Sequence, residues 1–211
     1  MRTLLWIILA VLCLSIGAYP LTYLMADGKF GLLQTKSDAL LANSTWRLLF
    51  FAHIVGGGLA LLVGWTQFVK SWRLRFTSVH RNVGKFYVLM VCVSGTAAVC
   101  IAPFSSTGWV AALGFGSLGL VWLYFTLQAV RSVWRRDLGR HERQMIYSYS
   151  ACMSAVTLRL WLPLFLVVFR LDFQVAYPLV AWLAWVPNLL VARFIVSRLP
   201  PMDAGCDPCV R

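Results

Sequence analysis

Hydrophobic and polar positions sort this chain into long apolar runs separated by short polar stretches. Six runs stand out, at residues 4–25, 47–69, 84–104, 109–130, 144–169 and 175–196. About 20 residues rising 1.5 Å each cross a hydrocarbon core of about 30 Å, so every run is long enough to span a membrane. Without water, each backbone amide in such a run needs a partner within its own segment, which predicts helices. A membrane barrel would instead alternate apolar and polar residues over segments of about ten. The expected fold is therefore all-α: a single polytopic domain over residues 1–199 built from six transmembrane helices, followed by a short tail at 200–211.

Composition sharpens this reading. Hydrophobic residues make up 60% of the chain and charged residues 12%, against about a quarter charged in soluble domains. That balance excludes a soluble globular domain and a disordered chain. The net charge of +12 comes from 19 Lys and Arg against 7 Asp and Glu. Its distribution speaks to orientation rather than to a nucleic-acid partner, because cations concentrate in two loops. One carries Lys70, Arg73, Arg75, Arg81 and Lys85; the other carries Arg131, Arg135, Arg136, Arg140 and Arg143. The intervening loops hold only Lys29, Lys36 and Arg170, while Arg2, Arg198 and Arg211 join the basic side. The positive-inside rule then predicts cytoplasmic termini in a cell inner (plasma) membrane. Trp46, Trp72, Trp109 and Trp134 fall near the expected interfaces. Met1-Arg2 ahead of an apolar run resembles a secretory signal, but the run extends to Met25 and Gly17-Ala18-Tyr19 is a poor cleavage site, which favours an uncleaved anchor.

Residues 26–46 form the longest loop at the cation-poor side, and Leu32-Leu33 and Leu40-Leu41 suit it to lie on the membrane or cap the bundle. The turn at 105–108 makes the third and fourth spans antiparallel neighbours. Of six cysteines, Cys13, Cys92, Cys100 and Cys152 read as small packing residues within spans. Cys206 and Cys209 form a CxxC pair, which can bind metal or cycle as a dithiol. With no second pair beside it, this one reads as unstructured tail. Gly114, Gly116 and Gly119 read as helix-packing positions.

Polar residues inside spans are costly, so each is a candidate site. His53 lies about 10 Å into the second span and is followed by Gly56-Gly57-Gly58, which suits close approach by a helix or flat ligand. Gln67 needs a partner near the inner end of that span. Arg159 lies about 22 Å up the fifth span, close to the level of His53. An arginine at mid-span costs about 2.5–3.5 kcal/mol on insertion scales. It should therefore meet an anionic group, backbone carbonyls near Pro163, or a neutral His53; the alternative is snorkelling to the outer interface. No Asp or Glu lies within the spans to serve as counter-ion.

His80 and His141 each open a span at the basic side, in Val79-His80-Arg81 and Arg140-His141-Glu142-Arg143. Two imidazoles at matching depth on separate helices are what axial ligation of a b-type haem uses. Arg81, Arg140 and Arg143 would then hold the propionates. The same cluster would equally clamp a phosphate or lipid headgroup.

The segments Phe51-Ala52-His53-Ile54-Val55-Gly56-Gly57, His80-Arg81-Asn82-Val83-Gly84-Lys85-Phe86-Tyr87 and His141-Glu142-Arg143-Gln144-Met145-Ile146-Tyr147-Ser148-Tyr149 resemble a bacterial integral-membrane family. So does Ala155-Val156-Thr157-Leu158-Arg159-Leu160. That family is the predicted membrane proteins of domain of unknown function 2306, and the likeness runs over residues 50–165. It departs at Gln144 and Tyr147, where the family favours Trp and Arg. The resemblance implies a polar signature of the three histidines and Arg159, without an activity. More loosely, the chain is similar to cytochrome b561 and ferric-reductase-like haem bundles. Those usually hold two haems on four histidines; three histidines on three spans leave room for one bis-histidine haem at most.

Three functional readings follow. The first is a membrane redox protein with haem b on His80 and His141 as iron ligands and a quinone as electron partner. The second is a non-redox protein that binds or transports an anionic lipid or small organic anion through Arg159 and the basic inner rim. The third is an accessory subunit whose polar residues only lock helices together. A zinc hydrolase fits poorly, since zinc needs three or four convergent ligands.

Overall fold

The computed structural model describes residues 2–25 and 30–200, and the Cys206/Cys209 pair lies outside them. Described residues outside loops and turns are helical, and six segments are long and apolar enough to cross a membrane. The first is α1 (Arg2–Ala18) and α2 (Pro20–Met25), broken at Tyr19-Pro20, where proline cannot donate a backbone hydrogen bond. After the short α3 (Asp38–Ala42), α4 (Ser44–Gly64) runs back and ends in a 3-10 turn to Phe68. The small α5 (Lys70–Arg75) leads into α6 (Thr77–Ile101), which pairs with α7 (Trp109–Trp134) through a turn at Gly108, φ 83°. The fifth span is divided into α8 (Leu138–Cys152) and α9 (Ser154–Pro163), then a π-helical turn at Leu164–Val168. The sixth is α10 (Phe173–Leu183) and α11 (Val186–Ser197).

Two boundaries differ from the sequence reading in a way that matters. The third and fifth spans begin earlier than 84 and 144, so His80 and His141 each sit in the first turn of a helix, α6 and α8. Polar residues there hide these starts from a hydropathy reading, although the helix continues through them. Trp46 also departs from expectation. It is 5% exposed, stacked on Phe50 at 5.3 Å, whereas Trp72, Trp109 and Trp134 face outward at 54%, 73% and 80%.

Small residues set the helix spacing. A Cβ on Gly56 would come within 3.1 Å of Ser94 Cβ, one on Gly58 within 2.6 Å of the Gly17 carbonyl, and one on Gly64 within 2.4 Å of the Tyr149 ring. Thus α4 approaches α6, α1 and α8 along three successive glycine notches, which agrees with packing rather than propensity as their role. Gly114 does the same for α7 against Ala181 on α10.

The centre is closed by a ring of hydrogen bonds. Thr126 Oγ1 donates to the Trp122 carbonyl at 2.7 Å, so its only proton is spent and Ser148 Oγ must donate to it, also at 2.7 Å. Tyr87 then donates to Ser148 Oγ at 2.9 Å, and Trp122 Nε1 donates to the Tyr87 oxygen at 3.3 Å. Four buried polar groups on α6, α7 and α8 are satisfied by one another, which locks those helices in register. Beside the ring, the Tyr149 hydroxyl donates to the Leu61 carbonyl at 3.2 Å and lies 3.1 Å from Cys13 Sγ. Cys13 is therefore a polar contact as well as a packing residue. Asn188 adds a staple from α11, donating to the carbonyls of Ser150 and Ala184 at 3.3 and 3.0 Å.

Candidate functional site

The polar residues gather at two levels, separated by the central ring. At the basic end, the inward stripe of α6 carries His80, Gly84 and Tyr87, and that of α8 carries His141, Gln144 and Ser148. Both stripes follow the three-and-four residue spacing of one helix face. His80 and His141 thus lie at the same end of the bundle, each in the first turn of its helix. The His141 ring is fixed by Nδ1, 3.0 Å from the Ala129 carbonyl on α7. A carbonyl only accepts, so Nδ1 carries a proton, and in the neutral ring Nε2 is the nitrogen that holds the lone pair. Neither nitrogen of His80 is hydrogen-bonded among the described residues. The buried carbonyl oxygens of Gln67 and Gln144 also lack partners there, and Gln67 lies against Gly84.

The arginines at this end divide by role. Arg73 pairs with Glu142 at 3.4 Å, tying α5 to α8. Arg143 donates to the Val196 carbonyl at 3.2 Å and to that of Pro200, capping the end of α11. Those bonds use two of its five N–H donors. Arg81 and Arg140 are exposed and free of ion pairs among the described residues.

His141 has a partner on Nδ1 that orients its ring, and no partner on Nε2 among the described residues. Two shallow grooves open on the outside of the bundle, one beside Arg131 and Trp134 and the other beside Pro178 and Trp182; the imidazoles line neither. Among the described residues, no group of three or more His, Cys, Asp or Glu side chains converges to hold a metal ion.

At the cation-poor end, His53 Nδ1 lies 3.1 Å from both the carbonyl and the hydroxyl of Ser94, while Ser94 Oγ donates to the His53 carbonyl at 2.8 Å. Close approach at Gly56 makes this double contact between α4 and α6 possible. Arg159 folds back along α9, donating from Nη1 to the Ala155 carbonyl at 2.8 Å, with its guanidinium carbon 4.5 Å above the Tyr19 ring. It points into the bundle toward α1, not up to the interface, so snorkelling does not describe it. The carbonyl it meets is one turn before it, rather than near Pro163.

The loop over this end caps the bundle. Phe30 lies 5.4 Å from the Tyr23 ring, Leu32 N donates to the Tyr23 hydroxyl at 3.3 Å, and Gly31 adopts φ 54° beside that hydroxyl. Thr35 bonds Ser106 at 2.7 Å and Lys36 donates to the Phe104 carbonyl, tying the loop to the α6–α7 turn. Burial pushes the Lys36 ammonium below its ordinary value of 10.5.

Residues 50–196 match the family described as predicted membrane protein, domain of unknown function 2306. The chain belongs to that family. Neither a curated protein nor a solved structure matches the sequence. His53, Gln67, His80, Arg81, Arg140, His141, Arg143 and Arg159 all lie within the part that matches domain of unknown function 2306. Tyr19, Tyr23 and Cys13 precede it. The first span therefore completes both the cation-poor cluster and the core from outside the matched region. Tyr87, Trp122, Thr126, Ser148 and Tyr149 were not singled out from the sequence as a group. Only the i, i+7 recurrence of polar residues above His80 and His141 hints at them.

Proposed function

We propose that this multi-pass membrane protein is a redox protein that holds one b-type haem between His80 and His141. One observation carries the reading: His141 is fixed through Nδ1 with no partner on Nε2, and His80, at the same end of the bundle, has no hydrogen-bond partner on its ring among the described residues. An imidazole oriented by a backbone carbonyl is held in the tautomer that coordinates metal. Bound there, haem would supply a one-electron carrier. The chain's own residues would bind and orient it: His80 and His141 as axial ligands, and Arg81 and Arg140 as partners for the propionates. The central ring of Tyr87, Ser148, Thr126 and Trp122 would close the space above it to water.

In this reading the basic end faces the cytoplasm of a bacterial inner membrane, and a quinone in the bilayer is the electron partner. With a single bis-histidine pair, electrons enter and leave near one face rather than crossing the bilayer. The test is the absorption spectrum of the purified full-length protein produced with ample haem. The expected result is a Soret band that sharpens on dithionite reduction and is lost in His80→Ala and His141→Ala. A colourless wild-type protein with no extractable haem refutes the proposal.

A further inference from the structure

We infer that Arg159, with Tyr19 and Tyr23, forms a binding site at the cation-poor end for the anionic group, carboxylate or phosphate, of a ligand. The site does not depend on the histidine pair at the other end.

The argument begins with what the guanidinium lacks. Arginine offers five N–H donors, and Arg159 gives one to the Ala155 carbonyl and lays its face on Tyr19. Among the described residues no carboxylate pairs with it. The residue lies about 13 Å below the end of its span, counted from Val168 at 1.5 Å per residue. A cation at that depth keeps its charge at considerable cost unless an acceptor joins it. The rest of the structure holds it there rather than letting it escape, because the side chain is turned back toward Ala155 and pinned under the aromatic cap.

The surroundings suit an anion that arrives from outside. His53 stays outside the donor set: its Nδ1 proton goes to the Ser94 carbonyl, which leaves Nε2 of the neutral ring an acceptor. The hydroxyls of Tyr19 and Tyr23 lie together beside Gly31, the point at which the loop turns over the bundle. The first span thus brings two tyrosines to a cation in an otherwise apolar end. A planar guanidinium with free parallel N–H groups takes a carboxylate or phosphate in bidentate fashion. Either a lipid headgroup of the adjacent leaflet or a free small anion supplies that chemistry.

The experiment uses full-length wild type, Arg159→Gln and Arg159→Lys. In phosphatidylcholine nanodiscs, inorganic phosphate and succinate are titrated against tryptophan fluorescence. In parallel, nanodiscs containing phosphatidylglycerol are analysed by native mass spectrometry for retained lipid. Wild type is expected to bind in one arm, which identifies the source of the anion. Arg159→Gln is expected to bind that probe about tenfold more weakly or worse, the loss of a charged hydrogen-bonded contact. Binding by neither probe to wild type, or equal binding by Arg159→Gln, overturns the inference. Should Arg159→Gln fail to fold, Arg159→Lys decides: weaker binding supports a fork-shaped contact and unchanged affinity refutes it.

Discussion

Replacing Gly64 by alanine tests whether the glycine notches of α4 hold the bundle together. A Cβ at this position would lie 2.4 and 2.7 Å from two atoms of the Tyr149 ring and 3.0 Å from the Tyr87 ring. Neither ring can yield freely. Tyr149 is 6% exposed with its hydroxyl bonded to the Leu61 carbonyl, and Tyr87 is fully buried within the central ring. Overpacking of this kind costs about 1–3 kcal/mol. Loss of the Tyr149 hydrogen bond adds about 1 kcal/mol, which the better helix propensity of alanine roughly offsets. Gly116→Ala is the matched control, because its Cβ would meet only Ala102 Cβ at an ordinary 3.5 Å. That variant should be neutral or stabilised by up to about 1 kcal/mol. Unfolding by SDS in mixed micelles, followed by helical circular dichroism, reads both on one scale. A Gly64→Ala midpoint equal to or above that of Gly116→Ala would refute the packing argument.

Other expectations follow from particular contacts. Ser148→Ala removes the acceptor for Tyr87 and the donor to Thr126, and should destabilise the protein by about 1–3 kcal/mol in the same unfolding assay, as buried unsatisfied groups do. Asn188→Ala releases α11 from Ser150 and Ala184. It should lower stability by about 1 kcal/mol and speed hydrogen exchange in that helix before the others, which mass spectrometry can follow. Lys36 makes a pH prediction. Burial lowers its folded-state pKa, so the unfolded chain binds more protons between that value and 10.5, and stability rises as pH approaches 10.5 from below. Thermal midpoints across that range should climb for wild type and flatten for Lys36→Met. Equal slopes would show that the ammonium is not shielded by the cap.

What the sequence determined by itself is the set of properties that depend on local composition. Six runs of sufficient length, apolar throughout, leave helices as the means of satisfying the backbone in lipid, and all six are found. Even the short turn before Trp109 is legible, because so few residues can only reverse the chain. His53, His80, His141 and Arg159 were visible for the same reason: polar atoms in an apolar run announce themselves without any knowledge of their neighbours. Which partner each one meets depended on the tertiary structure. Nothing local tells that Arg143 would turn away to cap α11 while His141, two residues earlier, turns inward to Ala129. Nor can spacing alone reveal that Trp46 is buried or that Tyr87, Trp122, Thr126 and Ser148 close a ring, since those four come from three helices whose rotation about their axes is set by glycine notches and close packing. Lipid imposes helical structure on each span separately, but the facing of side chains is a joint property of all spans and emerges only when they pack.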